Sequence, residues 1–295
     1  MIELTPRDKE LFNLISISGT CTYEQAAKIF EKPGGYHYKR IRKLCKEGYL
    51  IKRSKYLELT TLSSEIVGDS KYRFIKDDNR KAHAEVTNIA LSGLSIKSNR
   101  TIRSEYGLNR KTHFKGAIIH KGLDYFFYLL PPVPTSQYIS FIKSELKTYS
   151  SSGICRHAVV FAPTPTAIGM FTVDDCRQNE LFLLPYPMGM KYLQNYFTDS
   201  IQNHIGSLLP PVRESKHKFA NYEDDQYYYS VLVLNDLSKR HHLNTYYISA
   251  IQDKPVKIIC LQSQVTLFSN VYPNTQLIIM QEEIIQAPVK LHQVS

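Results

Sequence analysis

"GGYHYKRIRKLCKEGYLIKRSKYLELT", residues 34–60, decides how the first part of the chain folds. Placed on a helical wheel, Tyr38, Ile41, Leu44 and Cys45 of residues 36–47 fall together at spacings of three and four. Lys39, Arg40, Lys43 and Lys46 take the opposite side. Such a pattern anchors a helix by one stripe and leaves its other face to solvent. Gly48 follows where a helix of that register needs a C′ residue. Beyond it, "YLIKR" and "YLELT" alternate apolar and polar residues, as two strands joined at Ser54 would. The stretch therefore spells an amphipathic helix and a hairpin.

Upstream, Thr5-Pro6 supplies an N-cap with proline at the first helical position, and Asp8 and Glu10 fall in the first turn. Leu11, Leu14 and Ile15 give that helix its apolar stripe, and Gly19 stops it. Thr22 caps a second, shorter helix, "YEQAAKIF", with Ala26, Ile29 and Phe30 inward, and Pro33-Gly34-Gly35 is a turn. Downstream, "TLSSEIVG" is a brief closing helix. Three helices followed by a hairpin is the order of a winged helix-turn-helix, expected over residues 1–72. The apolar-poor "KYRFIKDDNR" marks a boundary, with a larger domain over 77–295.

Charge points to a partner. Between Gly34 and Tyr56, eight cations (Lys39, Arg40, Arg42, Lys43, Lys46, Lys52, Arg53 and Lys55) face Glu47 alone, holding seven of the chain's ten net positive charges. Double-stranded DNA is the partner that suits a basic helix beside a basic hairpin tip. Arg40 and Lys39 are expected at guanine edges, because arginine donates two hydrogen bonds to O6 and N7. Lys43, Lys46, Lys52, Arg53 and Lys55 are expected at phosphates. Arg42 belongs to the same set, and Tyr36 and His37 suit either role. One such helix reads only a few base pairs, so a homodimer on an inverted repeat is the economical arrangement.

The rest of the chain alternates helices and strands, which implies a mixed α/β sheet. "RKAHAEVTNIALSGL" carries Ala82, Val86, Ile89, Ala90 and Leu94 on one helical face. "KGAIIH" and "DYFFYLL" form a hairpin about Lys121-Gly122, and "PPVPT" then leads into the amphipathic "SQYISFIKSELKTYSSSG". "HAVVFAP" and "LFLLPYP" are buried strands and "MKYLQNYF" a helix. "YYYSVLVLNDL", "TYYISAI", "VKIICLQ" and "QLIIMQ" complete the strands, with the alternating tyrosines on a half-buried face that also suits an interface. The final ten residues look like a loose tail. The class expected is α+β or α/β.

Several chemistries are disfavoured. Five dispersed cysteines without CxxC spacing read as reduced thiols of a cytoplasmic protein and offer no zinc site. No metal or cofactor is called for. No run approaches the roughly 20 apolar residues of a membrane span, and "MIELTPRDKE" lacks the apolar core of a signal peptide. His241-His242 reads as a polar surface turn, and Asp174-Asp175 and Asp224-Asp225 as loop or cap acids. There is no phosphate-cradling glycine loop.

"LTPRDKELFNLI", "GTCTYEQAAKIF", "IRKLCKEGYLIKR" and "YLELTTLSSEIVG", followed by "RKAHAEVTNIAL" with His83, resemble the replication-relaxation family of plasmid and mobile-element proteins. The resemblance continues through "TIRSEYG", "KGAIIHKGLDYFFYLL" and "SQYISFIKSELKTY", covering residues 4–150. It implies DNA binding at a promoter or at a replication or transfer origin, alongside replication, transfer or transcription proteins. It also implies a second domain similar to the PD-(D/E)xK nuclease fold, and hence the alternative of a metal-dependent nuclease or nicking enzyme. This chain departs from that pattern. Lys115-Gly116 stands where an aspartate is wanted, Leu129 and Leu130 replace the acidic pair, and Glu105 is the one carboxylate left. A degenerate nuclease-like body serving dimerisation or docking, without catalysis, is the expectation.

Overall fold

Thr5 opens the first helix by a capping box. Its hydroxyl accepts from the Asp8 N–H, and the Asp8 carboxylate accepts from the Thr5 N–H at 2.7 Å. The computed structural model describes residues 2–30, 35–68 and 75–283. The Pro33-Gly34 part of the expected turn, the start of the boundary stretch and the tail lie outside the described residues.

Helix α1 (Pro6–Ser18) ends at Gly19, whose φ of 95° lets its N–H return to the Ile15 carbonyl. Strand β1 (Cys21–Thr22) leads into α2 (Tyr23–Phe30), capped by Thr22, and α3 (Tyr36–Lys46) follows. Strands β2 (Leu50–Arg53) and β3 (Tyr56–Leu59) form the expected hairpin, with Ser54 at φ 56°, and α4 (Thr61–Ile66) follows. The sheet order is β1-β3-β2, all antiparallel, with Leu57 paired to Cys21 on one side and Lys52 on the other. Leu11, Phe12, Ile15, Ala26, Phe30, Ile41, Leu44, Leu50 and Leu57 form one buried core beneath these elements. Each such side chain contributes about 1.5–3 kcal/mol by leaving water.

Helix α5 (Asp77–Leu91) packs on that core. The Thr87 hydroxyl donates to the Thr20 carbonyl at 2.6 Å. Gln25 Nε2 donates to the Ala84 carbonyl at 2.7 Å, and a His83 ring nitrogen meets the Ser18 carbonyl. Buried Glu58 of β3 accepts from Arg80 Nε at 2.6 Å. These bonds explain the extent of the first compact unit, Met1–Arg110 with Lys115–Ile119. It runs past the boundary expected near residue 72, because α5 satisfies buried polar groups of the preceding elements. Strand β4 (Ile96–Ser98), helix α6 (Asn99–Glu105) and the start of β5 (Gly116–His120) complete it, β4 and β5 pairing antiparallel.

The second unit, Lys111–Phe114 with His120–Ser295, holds β6 (Leu123–Leu129), α7 (Ser136–Ser151), β7 (His157–Ala162), α8 (Pro165–Gly169) and β8 (Glu180–Pro185). Strands β6, β7 and β8 are parallel and buried through Phe126, Phe127, Val159, Phe161 and Phe182. Helices α9 (Met188–Phe197) and α10 (Ser200–Leu208) precede β9 (Arg213–Glu214), β10 (Tyr222–Glu223) and β11 (Tyr228–Val231). Then come α11 (Leu237–Ile248), β12 (Val256–Leu261), α12 (Val265–Val271) and β13 (Gln276–Met280). Their sheet runs β13-β12-β11-β10-β9, parallel among the first three strands and antiparallel beyond.

The described residues thus form an α+β protein with twelve α-helices and three sheets. No helix among them is long and apolar enough to cross a membrane. Two expectations need correction. "TYYISAI" is not a strand, since Thr245–Ile248 end α11, and "YYYSVLVLNDL" is strand only over Tyr228–Val231. His241-His242 accordingly sits on α11 and not in a turn.

Candidate nucleic-acid interface

Helix α3 is held from below and from both ends. Ile41 and Leu44 are wholly buried. At its C-terminus Gly48, at φ 79°, turns the chain so that the Tyr49 N–H bonds the Leu44 carbonyl at 2.9 Å. Lys43 and Lys46 lie in the last turn, where positive charge suits the helix dipole.

Of the apolar stripe, Tyr38 does not join the core. It is 49% exposed, stacks on Tyr23 with centroids 5.9 Å apart, and lies 4.0 Å from the His37 ring. Cys45 is half-buried, and burial raises its thiol pKa, against the opposing pull of Lys52. Tyr36 packs edge-on against Phe30 at 6.2 Å and belongs to the wall of the core.

Arg40 departs most from expectation. Its Nε donates to Asp8 Oδ1 at 3.0 Å, and its Nη2 donates both to Asp8 Oδ2 and to the Glu3 carbonyl at 2.7 Å. Its side chain is only 12% exposed and that of Asp8 not at all. Burial alone would raise the Asp8 pKa, but hydrogen bonds from Arg40 and Thr5 hold it below the ordinary value. A guanidinium fixed on a buried carboxylate has no free fork for a base edge. Its role is to tie α3 to the start of α1.

The remaining cations do share a surface. Lys39, Arg42, Lys43 and Lys46 are exposed on α3, and Lys52, Arg53 and Lys55 are exposed around the hairpin tip. Between helix and hairpin runs a groove of about 520 Å³, lined by Tyr23, Tyr38, Arg42, Cys45, Lys52 and Lys55 among others. Lys52 Nζ lies 5.4 Å above the Tyr23 ring, and Lys55 Nζ 5.6 Å above Tyr56. Glu24 is the one acid on this groove. Chemically the surface offers seven cations and an aromatic floor to a polyanion.

Tyr23 and Asp8 are the residues that sequence reasoning missed. Tyr23 directly follows the Thr22 cap, so it had to project at the start of α2. Nothing local tied it to Tyr38.

The residues weighed for nuclease chemistry lie elsewhere. Glu105 pairs with Lys97 at 3.3 Å, and Leu129 and Leu130 are buried. Among the described residues no group of three or more His, Cys, Asp or Glu side chains could hold a metal ion. The other acidic pairs are engaged locally. Asp175 pairs with Lys143 at 2.8 Å, and Asp224 accepts from the Gln226 and Tyr227 N–H groups.

No family model, curated protein or solved structure matches this chain.

Proposed function

We propose that this protein binds double-stranded DNA in a sequence-specific way through a winged helix-turn-helix, with α3 as recognition helix and the β2–β3 hairpin as wing. It acts by occupying its site and not by cutting DNA. The observation that carries this reading is the common surface of Lys39, Arg42, Lys43 and Lys46 with Lys52, Arg53 and Lys55, on a helix whose opposite face is wholly buried.

With Arg40 engaged by Asp8, Arg42 takes the base-reading role beside Lys39. Arg42 lines the groove between helix and hairpin, and a guanidinium there can donate two parallel bonds to a guanine. Lys43, Lys46, Lys52, Arg53 and Lys55 contact phosphates, fixing register and supplying salt-dependent affinity. The resemblance to the replication-relaxation family supports a promoter or a replication or transfer origin of a mobile element as the site. In that scheme the second unit is a docking and dimerising body, related to the nuclease fold but lacking its acidic pair.

Selection of bound duplexes from a random pool, followed by footprinting, tests the reading. A short protected motif is expected. Recovery of an unenriched pool would overturn sequence specificity.

A further inference from the structure

Residues 1–110 hold 21 lysines and arginines against 13 aspartates and glutamates, so the cations of α3 and the hairpin are not the whole of this unit's excess. A second concentration lies on α6. Arg100 and Arg103 stand at i and i+3, hence on one side of the helix. Gly107, at φ 63°, then reverses the chain, with the Leu108 N–H on the Arg103 carbonyl at 2.9 Å. This turn brings Arg110 back toward Arg103.

The local acid does not balance these charges, because Glu105 pairs with Lys97. Among the described residues no carboxylate pairs with Arg103 or Arg110, and Arg103 Nε is buried without an acceptor. Burial and the nearby charges of Arg110 and Arg100 all lower the Arg103 pKa. Like charges gathered on a fixed turn are unfavourable unless an anion completes them.

We infer that Arg103 and Arg110, with Arg100 beside them, form a second anion site that takes a backbone phosphate of the same DNA. The inference rests on the function proposed above and extends the contact surface beyond helix and wing. Phosphate is the shared chemistry, and a free phosphate ion is the competing source.

Full-length Arg103→Gln/Arg110→Gln and Arg103→Lys/Arg110→Lys variants, both checked by circular dichroism melting, are titrated onto the selected duplex across a salt series. Loss of two phosphate contacts flattens the slope of log K against log salt by about 1.8. The glutamine pair is expected to show this, with its preference between sequences unchanged, and the lysine pair to keep a slope near that of the unaltered protein. An unaltered slope in the glutamine pair, while Lys43→Gln/Lys52→Gln flattens it, overturns this site and leaves the proposed function standing. No duplex binding by the unaltered protein removes both. Calorimetric titration with inorganic phosphate is the second arm. Tight binding abolished by the glutamine pair, with the duplex slope unmoved, assigns the site to a free anion and overturns the backbone assignment.

Discussion

At the scale of single residues, local rules read well and distant pairings do not. Thr5, Gly19 and Gly48 were legible as caps because a cap depends on neighbours within four positions. Arg40 was not, because its partner Asp8 lies 32 residues away and nothing in a helical wheel records it. The pairing makes a prediction. Arg40→Ala leaves Asp8 buried and uncompensated, so urea unfolding should show a loss of about 3–5 kcal/mol. All duplexes should weaken together, since α3 loses its tie to α1. Unchanged stability with relaxed preference at one base pair would restore Arg40 as a base reader.

Asp236 gives a pH signature of opposite sign to Asp8. Burial pushes its pKa up to about 6, Lys239 opposing and Glu180 adding to the rise. A raised carboxyl contributes stability below its unfolded value of about 3.9, lost as pH climbs through about 6. One oxygen of Asp236 accepts from both Leu181 and Ser238 N–H groups, a geometry an asparagine can keep. Asp236→Asn should therefore unfold with a weaker fall in stability between pH 4 and 7 than the unaltered protein. An equal fall would show that another group controls that range. For Asp8, whose pKa is lowered, stability is present above the unfolded value and is lost on acidification.

At the scale of elements, the hairpin and α3 followed from hydrophobic period, and the misreadings have one cause. "TYYISAI" is rich in β-prone residues, yet it ends a helix because Asp236 caps α11 and Leu237 and Leu243 bury one face of it. Tertiary packing overrode propensity there, as it often does. Tyr38 was misplaced for a related reason. Its helical angle suits the core, but at the first turn of α3 the neighbour it meets is Tyr23 at the surface.

The division of labour between helix and wing is testable at this scale. Arg42→Ala should relax preference at one base position and cost about 1–3 kcal/mol on the selected duplex. Lys52→Ala should weaken every duplex to a similar degree. Competition binding against single-base variants separates the two, and identical profiles would refute the assignment.

At the scale of the whole molecule, the α+β class was legible from alternating helix and strand signals, whereas the extent of the first unit was not. Its continuation through α5 depends on Arg80–Glu58 and Gln25–Ala84, contacts spanning 22 and 59 residues. Assembly is predicted from function. On an inverted repeat, analytical ultracentrifugation should find two chains per duplex, and a strict monomer both free and on DNA would contradict the dimer.

The central claim is that one face of α3 and the hairpin tip hold the duplex, and net charge alone is the explanation to be excluded. Fluorescence anisotropy at fixed salt compares two full-length variants carrying the same change in charge. One replaces Lys43, Lys46, Lys52 and Arg53 with glutamine. The other replaces the exposed Lys121, Lys147, Lys216 and Lys218 of the second unit. The first should lose about a hundredfold or more in affinity, roughly four phosphate contacts, and the second only a few-fold. Equal losses in the two would contradict the account.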